Sequence, residues 1–152
     1  MMSEQAHPQE ARKAYLSLLA KAPAQLVASR WEALGLTPDF SWLRMPEIGT
    51  AMVRGRAGGA GALFNLGEMS VTRCAIKLDG GAVGHGYVQG RDKGHAQIAA
   101  LTDALMKTDA KDAVEAKILT PIRDHLVQKA EARAAKAAAT KVDFFTMVRG
   151  ED

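Results

Sequence analysis

Apolar and polar positions divide this chain into three stretches: a helical one, a strand-like one and a second helical one. In residues 1–40 the apolar side chains recur at intervals of three and four, which is the spacing of one helix face. These positions are Tyr15, Leu18, Leu19, Leu26, Val27, Trp31 and Leu34. Pro23 fits the first turn of a second helix, and Gly35, with Pro38 beyond it, indicates where that helix ends.

Residues 42–90 are rich in glycine, and their apolar residues tend to alternate with polar ones, which is typical of strands. Residues 50–54 form one candidate strand, and 69–78 form the best candidate. The sequence Asp-Gly-Gly at 79–81 predicts a hairpin turn, after which residues 83–89 return as the next strand. We therefore predict a small antiparallel sheet of three or four strands.

The strand at 69–78 has polar residues on both of its faces. One face carries Met69, Val71, Arg73, Ala75 and Lys77, and the other carries Ser70, Thr72, Cys74, Ile76 and Leu78. Because neither face is purely apolar, the pattern leaves open which face is buried. Arg73 points away from Cys74, and a reactive cysteine needs an electropositive, partly exposed setting, so we predict a buried structural thiol.

Residues 91–141 return to helical spacing. Asp92 stands where an N-cap belongs. The apolar residues that follow at helical intervals are Ile98, Leu101, Leu105 and Met106. Pro121 interrupts the next helical region, which predicts a kink or a new helix with Thr120 as its N-cap. Helices, a strand meander and further helices describe an α+β fold, and the length suits one domain over residues 1–152.

The final residues, 142–152, change character again and form an apolar tail. A terminal segment this apolar is costly to leave in water, so it either folds back on its own core or docks on another subunit. We favour docking on a partner. The docking candidates are Phe144, Phe145, Met147, Val148 and Arg149.

Charge and cysteine content exclude several classes of protein. The formal net charge is +3 and the sequence pI is about 9.1, but the basic residues are spread among acids, which does not favour nucleic-acid binding. The single cysteine, Cys74, excludes an internal disulfide and suits a reducing cytoplasm. No apolar stretch follows a basic start at the N-terminus, and no run approaches the roughly 18 apolar residues of a membrane span. We expect a cytoplasmic protein without a signal peptide or a membrane segment.

The sharpest local signal is the segment 84–95, in which a strand leaves through Gly90 and a helix begins near Asp92. Backbone N–H groups at a helix start are unpaired and partly positive, so together with nearby cations they suit a phosphate, a phosphonate or a partner's carboxylate. The alternative is structural: Gly90 makes the turn, Asp92 caps its own helix and Arg91 pairs with an acid. The candidates for binding an anion or a partner are Arg73, His85, Gly90, Arg91, Lys93 and His95.

The chain shows no complete set of catalytic residues in its sequence pattern, so the catalytic residues are left unknown. His85 lies between two glycines, and no acid or nucleophile is placed beside it by spacing. The four histidines, at 7, 85, 95 and 125, lack the spacing of metal ligands, and we expect no metal. The glycine run at 56–62 lacks the Gly-Lys-Ser/Thr ending of a phosphate loop, which favours a flexible loop between strands.

Taken together, four segments resemble the PhnG subunit family of the carbon–phosphorus lyase system. They are GEMSVTR at 67–73, GHGYVQGRDKGHA at 84–96, ALM at 104–106 and VDFFTMVRG at 142–150. The likeness extends over nearly the whole chain. The Gly90-Arg91-Asp92-Lys93 segment and the C-terminal motif are specific in combination.

The resemblance implies a subunit of a core complex with PhnH-, PhnI- and PhnJ-type subunits, which acts together with a PhnL-type subunit. Such a complex transfers the ribose triphosphate moiety of ATP to methylphosphonate and releases adenine during the breakdown of organic phosphonates. ATP and methylphosphonate are then substrates of the complex, and no cofactor is expected on this chain alone. The family adds no catalytic motif, since nucleosidase chemistry is linked to the PhnI-type subunit. The isolated chain could form a homo-oligomer.

Two alternatives belong to other functional classes. The chain could be a stand-alone small enzyme that acts on a phosphorylated substrate through His85, Arg91 and His95, in which case it turns over substrate without partners. It could also be a nucleic-acid-binding protein, in which case its affinity falls steeply with salt.

Overall fold

The structure, a computed structural model, describes residues 7–56 and 61–149, with side chains described as far as residue 140. The predicted α+β order is confirmed, with helices on both sides of a sheet in the sequence. The elements are α1 (Pro8–Lys21), α2 (Ala24–Leu34), β1 (Phe40–Arg56), β2 (Leu63–Leu78), β3 (Val83–Gln89), α3 (Lys93–Leu105), α4 (Lys111–Val114), a π-helical segment (Glu115–Leu119) and α5 (Thr120–Arg149).

Three predicted chain reversals and helix ends are confirmed by backbone geometry. Gly35 ends α2 in the left-handed conformation, with φ of 71°. Asp92 caps α3, where its Oδ1 accepts the N–H of His95 at 3.0 Å. The hairpin turn between β2 and β3 is closed by the N–H of Gly81, which donates to the carbonyl of Leu78 at 2.8 Å. Each of these positions satisfies backbone groups that would otherwise lack a partner.

The sheet contains three antiparallel strands in the order β1-β2-β3. The candidate strand at 50–54 is part of the much longer β1. β1 ends at Arg56 and β2 begins at Leu63, so the glycine run joins two strands, although its residues 57–60 lie outside the described part of the chain. The middle strand, β2, contains residues 69–78, whose pattern left open which face is buried.

The helices cover one face of this sheet, and the core lies between them. The buried face of β2 is the one with Thr72, Cys74 and Ile76, each at most 3% exposed, while Arg73 and Lys77 on the other face are exposed. α3 lies along β2 and β3, and α1 also contacts β3. Fully buried apolar side chains from β3 and from the helical elements complete the core: Leu19, Val27, Val88, Val114, Ile118, Leu119 and Ile122.

The prediction of Thr120 as a helix N-cap is wrong. Its φ and ψ are −61° and −49°, which are helical values, and its N–H donates to the carbonyl of Glu115, five residues back. Pro121 has no N–H and its ring crowds the carbonyl four residues earlier, so an ordinary α-helix is unfavourable at this point. A wider π-helical turn before the proline carries the chain past it, and α5 continues without a break in the backbone.

α5 continues past residue 141, where the composition changes, and its backbone is helical as far as Arg149. The predicted docking side chains of Phe144, Phe145, Met147, Val148 and Arg149 lie outside the described residues. Among the helices that are described, none combines the length and the apolar composition that a membrane crossing requires.

Candidate functional site

Two glycines of β3 allow α3 to lie directly on the strand. A Cβ atom on Gly84 would overlap the carbonyl oxygen of Ala100, and one on Gly86 would overlap that of Ala96. Because side chains alternate along a strand, the residues between and after these glycines, His85 and Tyr87, point to the opposite, exposed face. The close approach of the helix therefore determines where the predicted site residue His85 lies.

A buried acid, Asp103 of α3, forms hydrogen bonds to both α1 and β3. The sequence analysis did not identify this residue. Its two carboxylate oxygens accept hydrogen bonds from Arg12 Nε at 3.0 Å and Arg12 Nη2 at 2.9 Å. The hydroxyl of Tyr15 donates to it at 2.6 Å, and the backbone N–H of His85 donates at 2.9 Å. The only sequence signal was an acid placed among the apolar residues of a helix, in the run Leu101 to Leu105.

Burial and mutual hydrogen bonds shift the pKa values of Asp103, Arg12 and Tyr15. Burial alone would raise the pKa of Asp103, but the hydrogen bonds from Arg12, Tyr15 and the His85 backbone outweigh burial and lower that pKa below its ordinary value. The hydrogen bond to Asp103 raises the pKa of Arg12. Burial, followed by the hydrogen bond to Asp103, raises the pKa of Tyr15. Asp103 is therefore a charged structural acid at neutral pH.

The face of the sheet opposite the helices forms a shallow groove of about 460 Å³, which we call the open face. It combines two arginines and a histidine with apolar surface. We define it by Leu43, Arg44, Arg73, Ala75, His85 and Tyr87. Arg73 lies 3.7 Å from Glu47, with both side chains more than half exposed, so this ion pair contributes little and leaves the arginine available.

Beyond the end of β3, the strands β1 and β2 continue together as a two-stranded ribbon, which we call the arm (residues 50–56 and 63–70). β3 pairs with β2 only from Val71 to Lys77, whereas β1 pairs with β2 as far as Arg56 and Leu63. The arm exposes large apolar side chains, namely Met52, Val53, Leu63, Phe64 and Leu66. Two paired strands alone are at best marginally stable in water. The exposed apolar side chains of the arm are also costly to leave uncovered.

The predicted anion-binding turn is well formed, but the backbone groups of Gly90 and the Asp92 carboxylate already have partners. Gly90 has φ of 99°, and its N–H donates to the carbonyl of Ser70 at 2.8 Å. The hydroxyl of Thr72 donates to the carbonyl of Gly90 at 2.8 Å. The Asp92 carboxylate occupies the start of α3, where an anion was expected. Arg91 and Lys93 are exposed beside it.

The six predicted binding residues are therefore not one cluster. Arg73 and His85 lie together on the open face, and Gly90, Arg91 and Lys93 lie at the turn. His95 is inside: it is 4% exposed, and its ring Nε2 lies 2.8 Å from the carbonyl oxygen of Leu19, to which it donates. A ligand could reach that side chain only by breaking this bond, so its described contacts favour a structural role that joins α1 to α3.

The cysteine prediction is confirmed. Cys74 is 3% exposed, and its thiol lies 3.2 Å from the carbonyl oxygen of Ala96. Burial raises the pKa of this thiol to about 11, which keeps it protonated and unreactive at neutral pH. Within residues 7–56 and 61–140, no three His, Cys, Asp or Glu side chains are grouped as a metal site would require.

The fold and its surfaces together define a class: a small α+β protein with a helix-covered sheet, whose open face and arm are suited to contact other molecules. Comparison with known proteins is more specific. Residues 10–150 match the family model described as phosphonate metabolism protein PhnG. The chain therefore belongs to the PhnG family.

A curated relative extends the comparison. The alpha-D-ribose 1-methylphosphonate 5-triphosphate synthase subunit PhnG of Rhizobium meliloti (strain 1021) is 42% identical to this chain over 141 residues. The match covers 93% of this chain and 90% of the relative. The likeness therefore extends over both proteins almost from end to end, as the four segments of the sequence predicted.

Proposed function

We propose that this chain is a subunit of an alpha-D-ribose 1-methylphosphonate 5-triphosphate synthase and works in the breakdown of organic phosphonates. In that reaction the ribose triphosphate moiety of ATP is transferred to methylphosphonate, and adenine leaves. The near full-length relative of that name supports the assignment. The observation that carries the subunit role is the concentration of exposed apolar side chains on the sheet.

That concentration is marked. Among the side chains that the structure describes, every exposed large apolar residue except Leu36 and Val127 lies on one of the three strands. The strand residues concerned are Leu43, Met45, Ile48, Met52, Val53, Leu63, Phe64, Leu66 and Tyr87. Exposed apolar side chains concentrated on one element in this way are typical of a surface where another protein binds. The arm and the open face are thus the proposed subunit contacts.

The partners proposed are the PhnH-, PhnI-, PhnJ- and PhnL-type subunits. ATP and methylphosphonate are substrates of the assembled complex, and this chain's part is to shape the site of the PhnI-type subunit. Arg73 and His85 on the open face, and Gly90, Arg91 and Lys93 at the turn, are proposed to contact a partner or an anion. The apolar tail, with Phe144 and its neighbours, is proposed to dock on a partner as well.

A charge placed on the arm should prevent assembly. Phe64→Asp introduces a carboxylate at a side chain that is 46% exposed in this chain, so the fold tolerates it, but a buried interface would not. We expect co-purification with the tagged partner subunits to weaken by roughly 30-fold or more, the loss typical of a central interface residue. The measurement is a quantitative pull-down from cells that express all subunits, with the thermal midpoint of the purified variant as a check on folding.

Val127→Asp is the matched control, because Val127 is 50% exposed but lies on α5. Equal losses from both variants would contradict a contact through the arm. If the chain co-purified with none of the partner subunits, the subunit assignment would be wrong. Turnover of ATP and methylphosphonate by the chain alone would favour a stand-alone enzyme. In the same pull-down, truncation after Lys141 should weaken complex formation more than it weakens folding. Arg91→Ala should reduce the turnover of ATP and methylphosphonate by the assembled complex while leaving the fold intact.

A further inference from the structure

A second recess, distinct from the open face, lies between α1, the end of α3 and the region where α4 leads into α5. Its volume is about 750 Å³, which is within the range of small-molecule pockets. Four cationic side chains line it, together with a single acid. These residues are Arg12, Lys107, Lys111, Arg123 and Glu115. We call this recess the basic cleft.

Two of its cations are held in place by bonds that leave further donors free. Arg12 is fixed from behind by the buried carboxylate of Asp103, through its Nε and Nη2 atoms, and its side chain remains 37% exposed. Lys107 Nζ donates to the carbonyl oxygen of Val83 at 2.7 Å. Since an ammonium carries three protons and a guanidinium five, both can still donate to a ligand. The site therefore does not have to order these side chains on binding.

The other two cations differ in how they are paired. Lys111 is exposed and, within residues 7–56 and 61–140, takes part in no ion pair. Arg123 Nη2 lies 3.3 Å from Glu115 Oε1, with side chains 50% and 42% exposed. An ion pair this exposed is worth little, so a stronger anion can take the place of Glu115. Glu115 also begins the π-helical segment, a distortion that is frequent at functional sites.

We propose that the basic cleft binds a small molecule that carries a chain of phosphate groups. Phosphate oxygens accept charge-assisted hydrogen bonds from arginine and lysine, and a chain of phosphates offers enough oxygens and negative charge to engage several of the four cations at once. Ala11, Ala14 and Met106 line the same cleft and provide apolar surface for an uncharged part of the ligand. This inference stands on the cleft alone and does not require the proposed subunit role.

The test is isothermal titration calorimetry of the full-length chain with sodium tripolyphosphate at low and at physiological salt. We expect saturable binding that weakens with salt. Lys111→Gln should weaken it roughly ten-fold, and adding Lys107→Gln should weaken it further by a similar factor, because each removes a charge-assisted contact. Glu115→Gln should tighten binding a few-fold, because it removes the competing carboxylate. Thermal midpoints of the variants check that they fold.

Lys136→Gln is the matched control, since Lys136 is an exposed lysine of α5 outside the cleft. An equal loss from Lys136→Gln would show general attraction of a polyanion and overturn the proposal, as would absence of binding at low salt. An acidic peptide such as tetraglutamate that binds as tightly as tripolyphosphate would overturn it in favour of a partner's carboxylates. Because no partner subunit is present, failure here leaves the assembly assay unaffected.

Discussion

Asp103→Ala should lower the free energy of unfolding by about 3 kcal/mol. The substitution removes an acceptor that serves Arg12, the hydroxyl of Tyr15 and the backbone N–H of His85 at once. Removing one partner of a buried ion pair typically costs about 3–5 kcal/mol. The lower end applies because the guanidinium of Arg12 keeps access to water. Urea unfolding followed by circular dichroism measures the loss.

The same residue gives the chain a predictable response to acid. The pKa of Asp103 is lower in the folded protein than its ordinary value of 3.8, so the charged form is the one that stabilises the fold. Its contribution is complete above pH 3.8 and is lost as the pH falls through the lower pKa of the folded state. Asp103→Asn keeps the shape and one acceptor oxygen, so we expect a smaller loss at neutral pH and a weaker acid dependence below pH 4.

Asp109→Ala is the control for this pair of variants, because Asp109 is exposed and has no described ion pair. We expect it to change stability by less than about 0.5 kcal/mol. If Asp103→Ala lowered the free energy of unfolding as little as Asp109→Ala, the hydrogen bonds of Asp103 to α1 and β3 would not stabilise the fold as their geometry indicates.

Gly84→Ala should be about as damaging as the loss of Asp103, although it adds only one methyl group. The new Cβ would overlap the carbonyl oxygen of Ala100 and lie 2.7 Å from the backbone nitrogen of Ala104. Backbone atoms cannot rotate away as a side chain does, so α3 must move off the strand. Overpacking ordinarily costs about 1–3 kcal/mol, and we expect about 3 kcal/mol or an insoluble product here.

Gly49→Ala tests whether this cost comes from the contact with the helix. Gly49 is also a strand glycine, but a Cβ there would meet no atom within 4 Å, and its φ is not positive. We expect its stability to match the parent or to rise slightly, because alanine restricts the unfolded chain. Comparable losses at Gly49 and Gly84 would mean that any strand glycine is sensitive, whatever it faces.

Much of the local structure followed from local sequence. Gly35, Asp92 and the turn at 79–81 act through their own backbone and its immediate neighbours, so their positions were predictable. Thr120 shows the limit of this reasoning. A threonine before a proline is well suited to cap a new helix, but the chain instead accommodates Pro121 with a π-helical turn. Both solutions satisfy the backbone, and neighbouring residues alone do not choose between them.

The candidate site was predicted less completely, and particular contacts show why. Asp103 and Arg12 are 91 residues apart in sequence, and Asp103 and Tyr15 are 88 apart. No spacing rule connects positions so distant. His95 was predicted to lie with Arg91 and Lys93 around an anion-binding turn, yet its ring lies against the carbonyl of Leu19. Its segment was identified correctly, but the direction of its side chain depended on what packs beside it.

By itself, the sequence determined the α+β order of elements, the end of α2 at Gly35, the cap of α3 at Asp92 and membership of the PhnG family. These depend on local spacing, on backbone chemistry or on likeness over the whole chain. Only the tertiary structure decided which face of β2 is covered, that the arm extends past β3, and that four cations meet in the basic cleft. The covered face of β2 and the basic cleft arise from contacts between residues far apart in sequence, and the arm extends because β3 pairs with only part of β2.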